Sequence, residues 1–161
     1  MSENPYETPD SNLGGSELRE PRPVRGIVLG LVADLGGTTV CGVVLALIYG
    51  VVLAAQGMNA QDVQQTLSNI DIYSLYGAVS TLLGLAMSCL GGYVCIKVSN
   101  GTNLTNPIVL GAITFLIAVW LAWDAYDLIE FMALSVVSFL ATLWGGRTAL
   151  ARRTRGSVIE A

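Results

Sequence analysis

One carboxylate, Asp34, lies inside a long apolar segment of this sequence. Residues 26–55 contain no other Asp, Glu, Lys or Arg. An ionisable group inside a membrane helix is costly, and it marks a proton relay, an ion site or the partner of a buried base. Lys97 and Arg147 end two later apolar segments and are the candidate bases. We favour Arg147, because its Gly-Gly neighbours permit close approach.

The depth of Asp34 decides between these roles. A span of about 20 residues counted back from Ala55 ends near Gly36, which places Asp34 at the inner headgroup boundary. A span that starts at Gly26 would instead bury Asp34 about 12 Å deep. We favour the boundary position because of the cost of a buried charge.

A second group of acids follows the third apolar segment with a spacing of three residues. Such oxygens can collect a hard cation, but a site of that kind usually has six or more oxygen ligands, so a solvated loop is the favoured interpretation. The chain has no histidine and no Cys-x-x-Cys pair, which argues against the common metal and nucleophile motifs. We expect no cofactor and no enzymatic activity. The acids are Asp124, Asp127 and Glu130.

Composition places most of the chain in lipid. Of its 161 residues, 53% are hydrophobic and 12% charged, whereas soluble domains are about 25% charged. We predict an all-α, polytopic four-transmembrane-helix bundle over residues 25–152, between a disordered cytoplasmic tail at 1–24 and a short tail at 153–161. The predicted spans are 26–55, 74–98, 107–124 and 128–150.

Basic residues predict the orientation of these spans. Lys and Arg in short loops bias those loops toward the cytoplasm. Every base of the chain falls on the same side of the predicted spans, and the loops at about 56–73 and 124–130 contain acids but no base. Both termini are therefore predicted inside. The bases are Arg19, Arg22, Arg25, Lys97, Arg147, Arg152, Arg153 and Arg155.

The first outer loop has the pattern of a short amphipathic helix. Asn59 can cap its N-terminus, and Asp62 stands three places later, where a carboxylate is favourable. Val63, Leu67 and Ile70 then fall on one face. We expect this helix to lie on the outer membrane surface.

Small residues recur at intervals of four within the apolar segments. Helices in lipid associate by close packing at small residues and by interhelical hydrogen bonds, since lipid tails are as apolar as leucine. A spacing of four drifts about 40° per step, so the ridge of the first span winds around its helix. The predicted packing positions are Gly42, Ala46, Gly50, Ser80, Gly84, Ser88, Gly91, Gly92, Gly145 and Gly146.

The stretch Gly91-Gly92-Tyr93-Val94-Cys95-Ile96-Lys97 resembles a motif from a group of membrane proteins. It is similar to the Gly-Gly-Tyr-Val-Ala-x-Arg/Lys ending of the second helix in a family of small, uncharacterised four-helix bacterial inner-membrane proteins. Those proteins share an Asp-containing first helix and a polar outer hairpin, and Cys95 stands where they have Ala. The resemblance implies a four-helix fold and a bacterial inner-membrane location, and it carries no activity.

Three function classes remain after these exclusions, of which the last in rank, an intramembrane enzyme, lacks a base and nucleophile set. The favoured one is a non-enzymatic structural, assembly or interaction component, which packs into a homo-oligomer or a larger membrane complex. The alternative is a small transporter or channel that uses Asp34. Partners other than the bilayer are not specified by the sequence, and nucleic acid is not expected because the bases are confined to the membrane face.

Overall fold

All regular secondary structure in the described part of the chain is helical. A computed structural model describes residues 22–69, 73–122 and 128–159, with residues 122, 128 and 154–159 described by backbone alone. These residues form five helices and no strand. They are α1 (Pro23–Ala55), α2 (Ala60–Ser68), α3 (Leu75–Ser99), α4 (Thr105–Ala122) and α5 (Leu128–Ile159).

Helix α1 is one continuous rod with a local change of winding. It begins at Pro23, a position where the missing proline N–H costs little. Between Val32 and Gly36 the chain forms a π-helical turn, after which α-helix resumes from Gly37 to Ala55. A π turn bonds residue i to i+5, and it appears mostly as a single-turn bulge, frequently at functional sites.

Helix α2 follows the predicted cap chemistry. The Asn59 side chain accepts a hydrogen bond from the Asp62 N–H at 2.9 Å, so the predicted start of this helix is confirmed. Val63 and Leu67 lie against Gly50 of α1, where an added Cβ would be 3.8 and 3.9 Å from them. The short helix therefore folds back onto the end of α1. The predicted third member of its apolar face, Ile70, lies outside the described residues.

Helices α1 and α3 run antiparallel. Gly26 lies against Ser99, Gly37 lies against Met87, and the rings of Tyr49 and Tyr76 are 4.7 Å apart. Residue numbers therefore rise on α1 as they fall on α3.

Helices α3 and α5 run parallel and are in direct contact, and α4, which connects them in sequence, runs in the opposite direction. Ser88 meets Ser138 and Gly92 meets Thr142 across the α3–α5 contact. On α4, Pro107 packs on Gly146, whereas the Phe115 ring lies 6.3 Å from the Phe131 ring. Helix α4 is thus antiparallel to α5 along its length.

Three of these helices are long and apolar enough to cross a membrane. They are Pro23–Ala55, Leu75–Ser99 and the Ile129–Arg153 part of α5. The fourth predicted span corresponds to a shorter apolar helix, Thr105–Leu121. The all-helical prediction and the membrane character of the chain are therefore confirmed. Each helix begins or ends within a few residues of the predicted bounds, except that α5 continues to Ile159.

The described bases gather at one end of the bundle, here called the basic end. Arg22 donates its backbone N–H to the Ser99 carbonyl at 3.0 Å, and Arg153 donates from Nη1 to the Gly101 carbonyl at 3.4 Å. These bonds place the start of α1 and the end of α5 beside the α3–α4 turn. Lys97 and Arg152 both lie over the Tyr93 ring, at 6.0 and 5.8 Å from its centroid.

Consecutive glycines bring α3 against two helices at the same height. Gly91 faces α1, where an added Cβ would lie 2.9 Å from the Gly30 carbonyl oxygen. Gly92 faces α5 and contacts the Thr142 carbonyl, while Gly145 of α5 contacts the Cys89 carbonyl. Adjacent residues of an α-helix point about 100° apart, so one Gly-Gly pair supplies two contact faces. Both contacts are between backbones, and a larger side chain would separate the helices.

We therefore expect Gly145→Ala to destabilise the bundle by about 1–3 kcal/mol, the usual cost of overpacking. Its new methyl group would overlap the Cys89 carbonyl, which is backbone and cannot rotate away. Gly42→Ala and Gly84→Ala are matched controls, because their added Cβ meets nothing within 4 Å. They should be neutral or more stable by up to about 1 kcal/mol through helix propensity. Unfolding by SDS titration in mixed micelles measures all three, and equal losses would contradict the packing described.

Candidate functional site

Four helices contribute to a polar cluster around Asp34. Ser88 Oγ of α3 donates to Asp34 Oδ1 at 2.9 Å, and Thr114 Oγ1 of α4 lies 3.4 Å from Asp34 Oδ2. Ser138 Oγ of α5 is 3.0 Å from Ser88 Oγ. The cluster of Asp34, Ser88, Thr114 and Ser138 is called the Asp34 cluster below. It joins every long helix of the bundle through side-chain oxygens.

The Asp34 cluster is buried at the middle of the bundle. Asp34 is 2% exposed and Ser88 is 4% exposed. Ser88 lies near the midpoint of α3, and Thr114 lies near the midpoint of α4. Asp34 therefore lies level with the middle of α3 and α4, and its expected position at a headgroup boundary stays a prediction. That expectation counted back from Ala55, whereas the register of α1 is set by its contacts with α3 and α4.

The π turn explains how Asp34 reaches the cluster. Gly26 and Gly30 face α3, and in a regular α-helix the next residue at a spacing of four would drift by about 40°. The wider turn at Val32–Gly36 absorbs that drift, so Asp34 lies on the same contact face. An added Cβ at Gly91 would lie 2.8 Å from the Asp34 Cβ. The carboxylate is therefore held against the α3 backbone.

The bases expected to pair with Asp34 do not reach it. Lys97 and Arg147 are both exposed, and among the described residues no ion pair involves Asp34. Arg147 lies roughly 13 Å along α5 from Ser138, from the rise per residue of an α-helix. Hydroxyl groups of Ser88 and Thr114 therefore contact Asp34 in place of the predicted partner, Arg147. Long basic side chains reach toward water instead of entering an apolar interior.

A small cavity adjoins the Asp34 cluster between α4 and α5. Its volume is about 40 Å³, which is large enough for a water molecule. Two cluster members, Thr114 and Ser138, line it together with the hydroxyl-bearing Ser135 and Thr142. Most of the wall is apolar, but these hydroxyls give a water there hydrogen-bond partners. The remaining lining residues are Gly111, Phe115, Ala118 and Phe139.

The predicted packing residues divide into two groups. Ser88, Gly91, Gly92, Gly145 and Gly146 lie at helix contacts in the inner and middle part of the bundle. Gly42 and Gly84 face open space, Ala46 is half-buried, Gly50 receives α2, and Ser80 bonds to the Gly77 carbonyl of its own helix. Gly42 and Gly84 therefore do not meet each other within the chain, and their packing against another chain stays a prediction.

The predicted outer acids cannot be assembled from the described residues. Glu130 is half-buried in the first turn of α5, while Asp124 and Asp127 lie outside the described residues. Within the part of the chain that the structure describes, no three His, Cys, Asp or Glu residues come together as a metal site.

Sequence reasoning missed Thr114 and the π turn. Thr114 donates to the Leu110 carbonyl at 3.0 Å as well as lying beside Asp34. The sequence did contain an indication of Thr114: after Asn106, it is the one hydroxyl-bearing or charged residue in α4. An isolated hydroxyl in an apolar helix has to find a partner inside the bundle. No residue pattern in the sequence indicated the π turn.

Comparison of the chain with family models, with curated proteins and with solved structures found no match. The resemblance to the small four-helix inner-membrane family therefore stays a prediction.

We expect Ser88→Ala to lower the free energy of unfolding by about 1–2 kcal/mol. It removes two interhelical hydrogen bonds, and such bonds are worth about 0.6 kcal/mol on average and up to about 1.7 kcal/mol in membranes. Ser80→Ala is the control on the same helix, since its hydroxyl bonds only within α3, and should change the stability by less than about 0.5 kcal/mol. Similar values for the two variants in SDS unfolding would show that the Asp34 cluster does not join the helices.

Proposed function

We propose that this protein is a non-enzymatic, four-span component of a bacterial inner membrane, with both termini in the cytoplasm. Its role is to associate through α1 with another transmembrane helix, in a homo-oligomer or a larger membrane complex. The contrast between the two halves of α1 carries the association proposal.

The glycines of the inner half of α1 pack within the chain. Gly26 and Gly30 are buried, and both lie in contact with Cys95 of α3. An added Cβ at Gly30 would also lie 2.9 Å from Leu110 of α4. These glycines therefore have no room for another helix, and the apolar side chains that this half exposes before the π turn, including Val24 and Val28, have no free glycine beside them.

The outer half of α1 offers a different surface. Gly42 has open space beside it, and exposed apolar side chains follow one another at spacings of three and four along the same segment. A small residue beside large apolar ones permits close approach by a further helix in lipid, where van der Waals packing drives association. The exposed side chains are Val40, Val43, Val44, Leu47, Ile48, Val51 and Val52.

The proposed count of four spans is supported by the direction and register of α4. With its 18 residues, α4 measures about 27 Å, close to the hydrocarbon thickness of about 30 Å. It lies antiparallel to α5 from Pro107 beside Gly146 to Phe115 beside Phe131. A helix packed lengthwise among three spans shares their depth.

Charge supports the proposed orientation. The described bases lie at the basic end, whereas Asp62 and Glu130 belong to the opposite end, next to the ends of α1 and α5 that face away from it. Positively charged ends stay in the cytoplasm. With four spans, this places both termini inside.

A transporter remains the second candidate, and the Asp34 cluster favours it. Coupling-ion sites of secondary transporters lie near the bilayer midplane, at helices whose regular winding is interrupted. The Asp34 cluster lies at the middle of α3 and α4, beside a π turn of α1.

Photo-crosslinking in intact membranes tests the proposed association. A photoreactive residue at Val43, beside Gly42, should give a discrete crosslinked protein band, and one at Met132 of α5 should give none. Both side chains are about half exposed, so their access to lipid is similar. Adding Gly42→Leu should abolish the Val43 band, because a leucine fits the open space in the chain itself but blocks a close partner. Crosslinks to lipid alone from both positions would contradict the proposal.

A further inference from the structure

We infer that Asp34 is a proton-binding site inside the bundle, that it is occupied at neutral pH, and that the cavity between α4 and α5 is its route to water. This goes beyond the proposed function and does not depend on it.

Hydrogen-bond counting supports a protonated Asp34. Thr114 has one hydroxyl hydrogen, and its Oγ1 has two oxygen neighbours, the Leu110 carbonyl at 3.0 Å and Asp34 Oδ2 at 3.4 Å. We assign that hydrogen to the Leu110 carbonyl, because the shorter contact is the better hydrogen bond. A proton on Asp34 Oδ2 can then be donated to Thr114 Oγ1, whose lone pairs are available. Each of the two contacts then has its own hydrogen.

The other carboxyl oxygen fits the same assignment. Ser138 can donate to Ser88, and Ser88 then donates to Asp34 Oδ1, at 3.0 and 2.9 Å. In this arrangement Oδ1 is an acceptor and Oδ2–H is a donor. A charged carboxylate would hold one short hydrogen bond and one long contact while it is 2% exposed. Burying a charge with so few donors is costly.

The surroundings supply no base that would hold Asp34 charged. Helix α3, helix α4 and, through Ser88, helix α5 pack against it. Among the described residues, the other titratable or charged side chains of α1, α3 and α5 lie elsewhere along those helices and make no hydrogen bond or ion pair with Asp34, and α4 has none. They are Arg25, Cys41, Tyr49, Tyr76, Cys89, Tyr93, Cys95, Lys97, Glu130, Arg147, Arg152 and Arg153.

The distances favour a proton over a metal ion. Cluster oxygens are already in direct contact at hydrogen-bond distances of 2.9 and 3.0 Å. A hard cation takes six or more oxygen ligands, whereas the cluster supplies the two Asp34 oxygens and three hydroxyls. Hydrogen bonds fill the same contacts without any rearrangement.

The cavity gives this proton a path. Thr114 and Ser138 belong both to the cluster and to the cavity wall, so a water there is one hydroxyl away from Asp34. Ser135 and Thr142 add further polar wall. A water held in the cavity can thus exchange protons with Oδ2 through Thr114, without crossing the apolar contacts of α1.

Infrared spectroscopy of the full-length protein in lipid nanodiscs tests this inference. At neutral pH the protein should show a carboxylic-acid C=O band that is absent in Asp34→Asn and present in Asp62→Asn, whose exposed acid lies in α2. Thr114→Val keeps the acid but removes its acceptor, so the band should move to higher frequency. This second variant keeps the test decisive if Asp34→Asn does not fold.

Deuterium exchange tests the route. After transfer to D₂O, the band should shift at a rate that Ser135→Leu slows at least tenfold by filling the cavity. Ala133→Leu, exposed on the same helix, should leave the rate unchanged. Equal rates in the two variants would refute the route. Absence of an Asp34-dependent acid band at neutral pH would refute the proton site, as would loss of the band when sodium replaces potassium.

Discussion

The bundle depends on backbone-to-backbone approach at glycine. In lipid, the hydrophobic effect does not drive one apolar helix to pack against another. Helix association therefore depends on the dispersion forces and hydrogen bonds gained at very short range. Helix α3 provides this at one level through Gly91, which faces α1, and Gly92, which faces α5. Helix α4 is added by a further glycine contact, in which Gly146 lies against the Pro107 ring. The order of the four long helices follows from these contacts.

The Asp34 cluster lies directly beside the glycine contacts, and the two features need each other. Serine and threonine hydroxyls are short, so they reach a neighbouring helix only when backbones are close. Gly91 lets Asp34 approach α3, and one turn earlier Ser88 bridges to Asp34 and Ser138. In return, the cluster fixes the register of the helices. A buried polar group that has partners in only one arrangement would lose its hydrogen bonds if one helix shifted along another, and that loss is costly in a dry interior.

Sequence patterns predicted the local features and failed for features that depend on how two helices pack together. The Asn59 cap, the ends of α3 and the Gly91-Gly92 contact follow from short-range rules, since each depends on a few neighbouring residues. The π turn at Val32–Gly36 was not predicted. A π turn depends on what the helix segments before and after it pack against, and no residue within this one indicates the change of winding. For the same reason, hydroxyl partners replaced the expected base at Asp34.

The most direct test of this account is disulfide formation between Ser88→Cys and Ser138→Cys in native membranes, with Cys41, Cys89 and Cys95 replaced by alanine. The two Oγ atoms are 3.0 Å apart, so thiols in their place should form a bond within one chain under mild oxidation. The pair Leu82→Cys and Met132→Cys has the same helices and sequence separation but exposed side chains, and it should not react. Absence of the Ser88–Ser138 crosslink, or its formation between separate chains, would contradict the parallel α3–α5 contact on which the bundle rests.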